Sequence, residues 1–177
     1  MSSLALLTTR VLSLGTIALE IVSIVIFLAL VARKEKFLRI VRKHTLLIGF
    51  LVSFGSVVAS MYYSNIVGFT PCTLCWVQRI FLYPQALIFG IALFKRDFGV
   101  ADYILGLSIV GGAVALYHTY IQFGGAPLVP CSAEVISCSQ RFFVEFGYIT
   151  IPTMSLSAFV LIALCMVALK RVPPVLH

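Results

Sequence analysis

Five long apolar segments constrain the fold of this 177-residue chain more than any other feature. Each approaches or exceeds the roughly 20 residues that a helix needs to cross the hydrocarbon core of a bilayer. Helices are favoured over strands because an isolated segment in lipid must satisfy its backbone hydrogen bonds internally. The predicted spans are residues 11–32, 45–64, 76–94, 101–123 and 149–169.

Composition supports a membrane protein and argues against a nucleic-acid partner. Hydrophobic residues make up 61% of the chain, charged residues 11%, and the mean hydropathy is +1.10. Soluble domains are less apolar and carry more charge. The net charge of +7 arises mainly from basic residues at the ends of spans, where they orient the protein and contact anionic lipid. We therefore predict an all-α, polytopic membrane protein.

The positions of the basic residues predict the orientation of the spans. Ten of the thirteen Lys and Arg residues follow the first, third or fifth span, within 33–43, 95–96 and 170–171. The loops at the other side contain only Arg141, and Arg10 precedes the first span. The positive-inside rule then places the N-terminus outside and the C-terminus in the cytoplasm.

The N-terminal part is predicted to form a transmembrane helix followed by a basic segment. The first span does not look like a cleaved signal peptide, because its flanking charge is at the wrong end. Segment 34–43 is predicted as a short amphipathic helix at the cytoplasmic surface, with a solvated basic loop as the alternative. Its apolar face would contain Phe37, Leu38, Ile40 and Val41. Glu20 is expected to face other helices or to be protonated, because a charge in lipid is costly.

Four of the five cysteines fall in the two loops that the charge pattern places outside. Cys72 and Cys75 form a C-x-x-C motif, and Cys131 and Cys138 lie in the last outer loop. Cys165 lies in the fifth span, where it is expected only to pack. Because the orientation was derived from charge alone, the shared location of both pairs is an independent indication of extracytoplasmic thiol chemistry.

Three interpretations of these cysteines compete: two structural disulfides, a four-cysteine metal site, and a redox relay. A disulfide within C-x-x-C closes a very short loop and constrains the unfolded chain little. A zinc site would pair two closely spaced ligand couples, whereas the second couple here is C-x6-C without a supporting histidine or acid cluster. The relay is favoured, and no metal is expected.

The surroundings of the C-x-x-C motif favour reactive thiols. A helix is predicted to start at or just after the motif, where the helix dipole stabilises thiolates. Arg79 follows Cys75 by four residues and shares its helix face. A charge inside a span indicates function, although snorkelling to the interface is the alternative. Arg79 could hold the carbonyl oxygen of an electron acceptor, with Gln78 as a second donor.

The acceptor is predicted to be soluble in lipid. No nucleotide-binding, haem or iron–sulfur motif is found in the sequence. A membrane quinone is the obvious candidate. His118, near the outer end of the fourth span, is a further candidate contact to the quinone, with a hydrogen bond between helices as the alternative.

Several of these motifs, taken in order, resemble the disulfide bond formation protein B (DsbB) family, particularly its short-loop BdbC branch. The matching residues extend over about 45–169. They comprise Pro71-Cys-x-x-Cys-Trp-x-Gln-Arg79, Tyr83-Pro84, His118, Pro130-Cys131-x6-Cys138-Ser139 and Phe146-Gly147-Tyr148-Ile149-Thr150-Ile151-Pro152. The resemblance divides the chain into an additional N-terminal part (1–44), a four-helix membrane bundle (45–169) and a cytoplasmic tail (170–177).

The resemblance implies a quinone-dependent enzyme of the bacterial cytoplasmic membrane. It would oxidise an extracytoplasmic thioredoxin-fold, DsbA-like partner and reduce ubiquinone or menaquinone. Cys72 and Cys75 match the pair nearest the quinone, and Cys131 and Cys138 match the pair that faces the partner. Arg79 and His118 match the family's arginine and histidine near the quinone. The partner would attack Cys131, and Cys138 would then exchange with Cys72.

Two alternatives to this function remain open in the sequence. One is an epoxide-reductase-like (VKOR) quinone-coupled protein, although that family places its C-x-x-C after its loop cysteines. The other is a non-catalytic membrane assembly subunit with structural disulfides. The extra first span has no role implied by the resemblance, and only six residues separate Cys131 from Cys138.

Overall fold

A computed structural model describes residues 3–126 and 137–172, which fold into five helices and contain no extended strand. The helices are α1 (Ser3–Val31), α2 (Glu35–Met61), α3 (Thr73–Lys95), α4 (Ala101–Gln122) and α5 (Ile151–Arg171). A π-helical turn, Tyr62–Ile66, prolongs α2. All five helices are long and apolar enough to cross a membrane. The predicted all-α, polytopic membrane fold is therefore confirmed.

Helix α1 begins at Ser3, well before the predicted start at residue 11. The additional residues include two threonines, Thr8 and Thr9. Thr8 and Thr9 donate their hydroxyl hydrogens to the carbonyl oxygens one turn earlier, at 2.9 and 2.8 Å. This internal bonding satisfies both hydroxyls, so the helix extends through them.

Segment 34–43 is helical from Glu35 onwards, but it is not a separate interfacial helix. It forms the first turns of α2, which continues without a break into the second span. No glycine or proline interrupts residues 34–48, so nothing in the sequence ends the helix there. Leu38 and Val41 are buried, whereas Ile40 is exposed. The predicted division at residues 44 and 45 consequently falls inside α2.

Helix α5 occupies the centre of the bundle. Within the apolar windows of the five helices, 56% of the α5 residues are buried, compared with 22–33% for the other four. It packs against α1, α2 and α4. A Cβ atom at Gly111 of α4 would lie 2.5 Å from the ring of Phe159 in α5. The missing side chain therefore allows α4 and α5 to pack closely.

Hydrogen bonds attach α1 to the bundle along its length. Near its start, Tyr63 donates its hydroxyl hydrogen to Thr9 at 3.2 Å. In the middle, Glu20 accepts hydrogen bonds from Tyr148 at 2.6 Å and from Ser157 of α5 at 2.9 Å. At its end, Arg171 donates to the carbonyl oxygen of Leu30 at 3.1 Å. Glu20 thus faces α5, and α1 has a fixed position.

The basic segments meet at the end of the bundle opposite the C-x-x-C motif. Arg42 of α2 donates to the carbonyl oxygen of Leu169 at 3.0 Å. Lys170 forms an ion pair with Asp102, at the start of α4. These contacts join the C-terminal end of α5 to the N-terminal ends of α2 and α4. The alternating helices therefore place these basic segments at the end of the bundle away from the C-x-x-C motif, and the predicted orientation in the membrane stays a prediction.

Candidate active site

The C-x-x-C motif lies at the N-terminus of α3. Cys72 is the N-cap residue in extended conformation, and its carbonyl oxygen accepts the hydrogen bond of the Trp76 amide at 3.2 Å. Cys72 is buried and Cys75 is half-buried. Both thiols are free, with their sulfur atoms 3.1 Å apart. A disulfide requires about 2.05 Å between the sulfur atoms, so a small movement of the two side chains would allow a Cys72–Cys75 disulfide to form.

His118 contacts Cys72 from α4, although 46 residues separate the two along the chain. Its Nε2 lies 3.6 Å from the Cys72 sulfur and 3.1 Å from the carbonyl oxygen of Cys138. A carbonyl oxygen can only accept, so Nε2 carries the proton. The Nδ1 atom of the neutral ring then accepts from the side-chain amide of Gln78 at 2.9 Å. Gln78 thereby orients His118 with its N–H group towards Cys72 and Cys138.

These donors lower the pKa of the Cys72 thiol from its ordinary value of 9.0 to about 4. The largest cause is the hydrogen bond from the Cys75 thiol, and His118 contributes a further hydrogen bond. Burial acts in the opposite direction, because it disfavours the charged form. The lowered pKa favours the thiolate form of Cys72. The thiolate is the reactive form in disulfide exchange.

Cys138 is packed against the same thiol pair. It is disulfide-bonded and 2% exposed, and it forms one buried cluster with Cys72 and Ile121. The structure thus brings Cys72, Cys75 and Cys138 together. Cys131, the fourth predicted site residue, lies outside the residues that the structure describes.

A cavity of about 450 Å³ borders the other side of the motif, where Cys75 and Arg79 line it. Its remaining lining is mostly apolar and comes from α1, α2, α3, α5 and the loops at the cysteine end of the bundle. The guanidinium group of Arg79 donates to Ser64 and, at 3.3 Å, to the carbonyl oxygen of Ser60. The same group lies 5.0 Å from the centre of the Trp76 ring. These contacts hold a positive charge at the cavity, one helical turn from Cys75.

Aromatic rings from the π-helical turn and from two loops form part of the cavity wall. Phe69 stacks on Tyr63 at 5.7 Å and on Phe142 at 4.4 Å between ring centres, and all three residues line the cavity. Phe143 also contacts Tyr63, at 5.5 Å. The sequence did not predict these residues, because they come from separate segments of the chain. The pair of adjacent phenylalanines in an outer loop was the only available signal.

The other predicted contact residues are divided between the cavity and the thiol pair. Gln78 lines the cavity, and its amide bonds to His118. His118 does not line this cavity, and its ring contacts Gln78, Cys72 and the carbonyl oxygen of Cys138. Its expected contact with an electron acceptor stays a prediction. His118 lies beside Cys72 because α4 packs against α3.

The structure brings together three potential metal ligands that the sequence did not predict as one group. The sulfur atoms of Cys72 and Cys75 and a ring nitrogen of His118 all lie within 4.8 Å of one another. A thiolate pair with an imidazole is a donor set for thiophilic metal ions. The sequence predicts His118 as a contact to the quinone and not as a metal ligand with the cysteines, because His118 lies on another helix.

The bundle and its site define a class of protein. Adjacent free thiols, a stabilised thiolate and a disulfide-bonded third cysteine provide the groups that disulfide exchange requires. They lie at one end of a bundle of membrane-spanning helices. These features define a membrane thiol–disulfide oxidoreductase.

Comparison with known proteins identifies the family. The family model described as "Disulfide bond formation protein DsbB" matches residues 42–169, well over half of the chain. The chain therefore belongs to the DsbB family, as its motifs indicated. The matched segment begins inside α2 and does not include α1.

Several relatives of the chain are named disulfide formation proteins. The "SPbeta prophage-derived disulfide bond formation protein B" of Bacillus subtilis is 43% identical over 70% of this chain and 83% of its own length. The "Disulfide bond formation protein C" of Bacillus subtilis is 41% identical over 68% and 88%. The "Probable disulfide formation protein" of Metapseudomonas resinovorans is 36% identical over 71% and 89%. No solved structure matches the chain.

Proposed function

We propose that this protein reoxidises an extracytoplasmic thioredoxin-fold (DsbA-like) partner and passes the electrons to a membrane quinone. The observation that carries the proposal is the position of Cys72, which contacts both Cys138 and Cys75. On one side it packs with disulfide-bonded Cys138. On the other side it contacts Cys75, which lines the cavity together with Arg79. Electrons can therefore move by short exchange steps from the outer loop to the cavity.

The first step reduces the loop pair. Cys131 is the proposed disulfide partner of Cys138. A thiolate of the reduced protein partner attacks Cys131 and forms a mixed disulfide, and Cys138 leaves as a thiolate. The partner's second thiol then attacks the partner's first sulfur, which is bonded to Cys131 in the mixed disulfide. This attack releases the oxidised partner and leaves Cys131 and Cys138 reduced.

The second step moves the electron pair to the C-x-x-C motif. The Cys138 thiolate attacks Cys72 in a Cys72–Cys75 disulfide, and Cys75 leaves as a thiolate. Cys131 then attacks Cys138, which restores the loop disulfide and expels Cys72. A thiol of low pKa is a good leaving group, so the pKa of about 4 at Cys72 favours this expulsion. His118 acts here as a positioning residue that donates a hydrogen bond to the departing thiolate.

The cavity fits a quinone ring and part of its tail. Its volume of about 450 Å³ lies within the usual range for small-molecule sites, and its walls are mainly apolar. A bound ubiquinone or menaquinone supplies the oxidising power by taking up two electrons and two protons. Cys75 would face the ring, while Arg79 would stabilise negative charge on a ring oxygen. Gln78 is available as a second donor at the cavity wall.

The proposed orientation places the cysteines outside the cytoplasm. The basic residues gather at the opposite end of the bundle, and positive charge near spans favours the cytoplasmic side. The N-terminus would then be outside and the C-terminus in the cytoplasm of a bacterial cell. Disulfides persist in that outer compartment, which is where a protein-oxidising enzyme would meet its partner.

The test is turnover by the purified protein with a reduced DsbA-like protein and a soluble quinone. We expect quinone reduction that requires the partner and is lost in Cys75→Ser, with Cys165→Ala as the control that retains activity. In Cys138→Ala, the partner should become trapped on Cys131. Absence of turnover with both benzoquinones and naphthoquinones would refute the proposed activity. Trapping of the partner on Cys72 would refute the proposed order of the two pairs.

A further inference from the structure

We propose that α1 forms part of the acceptor site, and that Gly15 keeps open a passage for the acceptor between α1 and α2. This inference rests on the proposed function, in which the acceptor is a quinone. Helix α1 lies outside residues 42–169, the segment that the family accounts for. The structure therefore assigns a role to a helix whose presence the family resemblance did not explain.

One face of α1 lines the cavity next to Cys75 and Arg79. The residues on this face are spaced by about one helical turn, as expected for a single stripe of an α-helix. They are Val11, Leu12, Gly15, Thr16 and Leu19. They form one wall of the same cavity that Cys75 and Arg79 border, so whatever occupies this space contacts α1.

This wall has a fixed position relative to the reactive cysteine. Thr9 bonds to Tyr63, which itself lines the cavity. Glu20 bonds to Ser157 at 2.9 Å on α5. These two attachments flank the lining stripe on α1. The distance across the cavity is consequently set by the fold, and a change in the wall would change the space available to an acceptor.

The proposed gap lies between two glycines, one on α1 and one on α2, that line the cavity. Gly15 of α1 and Gly55 of α2 both line the cavity, and both are exposed. A Cβ atom added at either position would meet no atom within 4 Å. Their neighbours Leu14 and Leu51 are 56% and 59% exposed, as expected for side chains that face lipid.

The gap suits the shape of a membrane quinone. Such a molecule has a compact polar ring and a long apolar tail. With the ring at Cys75 and Arg79, the tail would pass between the two glycines into the lipid. A Cβ atom at Gly15 would meet no protein atom within 4 Å, so a side chain at this position would extend into the proposed passage. It would also favour the helix, because glycine is a poor helix former.

The experiment compares a size series at Gly15 with the same series at Gly106. Substitutions to Ala, Val and Leu are made at each position in the full chain. Gly106 lies on α4, is exposed, does not line the cavity and also has no atom within 4 Å of an added Cβ. Acceptor binding is measured by the quenching of Trp76 fluorescence. Trp76 is the chain's single tryptophan and contacts Arg79.

The probes are a short-tailed dimethoxybenzoquinone and a short-tailed methylnaphthoquinone. We expect affinity to fall with side-chain size at Gly15, and Gly15→Leu to weaken binding and raise the KM for quinone by about tenfold or more, as expected for an obstructed pocket. The Gly106 series should match the wild type. Disulfide exchange with the reduced partner in the absence of quinone should be unchanged in both series, which also verifies the fold.

The outcomes separate the inference from the proposed function. Wild-type protein that neither binds nor reduces either quinone would overturn the proposed function. Wild-type protein that binds and reduces quinone, together with a Gly15 series that behaves like the Gly106 series, would overturn the role of α1. If Gly15→Leu lost partner exchange, the Ala and Val variants would provide the test. A quinone affinity that falls from Ala to Val would support the role of α1, and an unchanged affinity in both would overturn it.

Discussion

Replacement of Cys75 by alanine should raise the pKa of Cys72, because it removes the strongest donor to the Cys72 thiolate. The two sulfur atoms lie 3.1 Å apart, and the thiol of Cys75 is the largest cause of the low pKa. A hydrogen bond to a charged group contributes about 1.5–3 kcal/mol, which corresponds to about 1–2 pKa units. The Cys72 pKa of about 4 should therefore rise to about 5–6 in Cys75→Ala.

The matched control is Cys75→Ser, whose hydroxyl group can still donate a hydrogen bond. The rate at which a small alkylating reagent modifies Cys72 is measured against pH, and the modified residue is identified by mass spectrometry. The thiolate is present above the pKa and disappears as pH falls through it, so the rate profile reports the pKa directly. In the wild type the profile should fall near pH 4, and Cys75→Ser should remain closer to it than Cys75→Ala.

Two results would contradict this account of the thiolate. One is a wild-type profile that falls near the ordinary thiol value of 9.0, which would mean that Cys72 has no stabilising donors. The other is a Cys75→Ala profile identical to that of the wild type, which would assign the low pKa to other groups. In that case His118→Ala would test the remaining donor, since His118 is the second hydrogen-bond partner of the sulfur.

Three further substitutions test the cavity and the packing. Arg79→Gln should slow quinone reduction by about tenfold or more while partner exchange is unchanged, and Arg79→Lys should recover part of the rate; equal rates in all three proteins would contradict the proposed role of the charge. Gly49→Ala should lower the free energy of unfolding by about 1–3 kcal/mol, because its Cβ would lie 2.3 Å from the buried Phe89 ring. Thermal unfolding in detergent measures this loss, and Gly106→Ala, which meets no neighbour, should show none. Glu20→Leu should cost about 1 kcal/mol in the same assay, because it removes the acceptor of two hydroxyl groups, and a more stable variant would contradict that.

The helices and the local part of the site could be predicted because they depend on short-range patterns. The length of each apolar segment predicts a membrane span, and helical periodicity places Arg79 one turn from Cys75. Both features are present in the structure, with Cys75 and Arg79 lining the same cavity. Charge at the ends of the spans likewise predicted that the basic segments would meet at one end of the bundle.

Contacts between distant segments could not be derived from these patterns. The position of His118 beside Cys72 depends on how α4 packs behind α3, and the stacking of Phe69 on Phe142 depends on two loops that meet only in the fold. The role of α1 as a cavity wall has the same origin, since hydropathy predicts that it spans the membrane but not which helix it contacts. Its early start also escaped prediction, because the Thr9 hydroxyl is satisfied within the helix.

The central claim is that Cys72 and Cys75 pass electrons directly to a quinone, and a single-turnover measurement tests it most directly. A variant with Cys131→Ser and Cys138→Ser retains only this thiol pair at the active site. It is reduced, freed of reductant and mixed with a soluble quinone without oxygen. The account predicts that one quinone is reduced per protein and that both thiols are lost together as a Cys72–Cys75 disulfide. Thiols that stay reduced while the protein still binds the quinone would contradict the account.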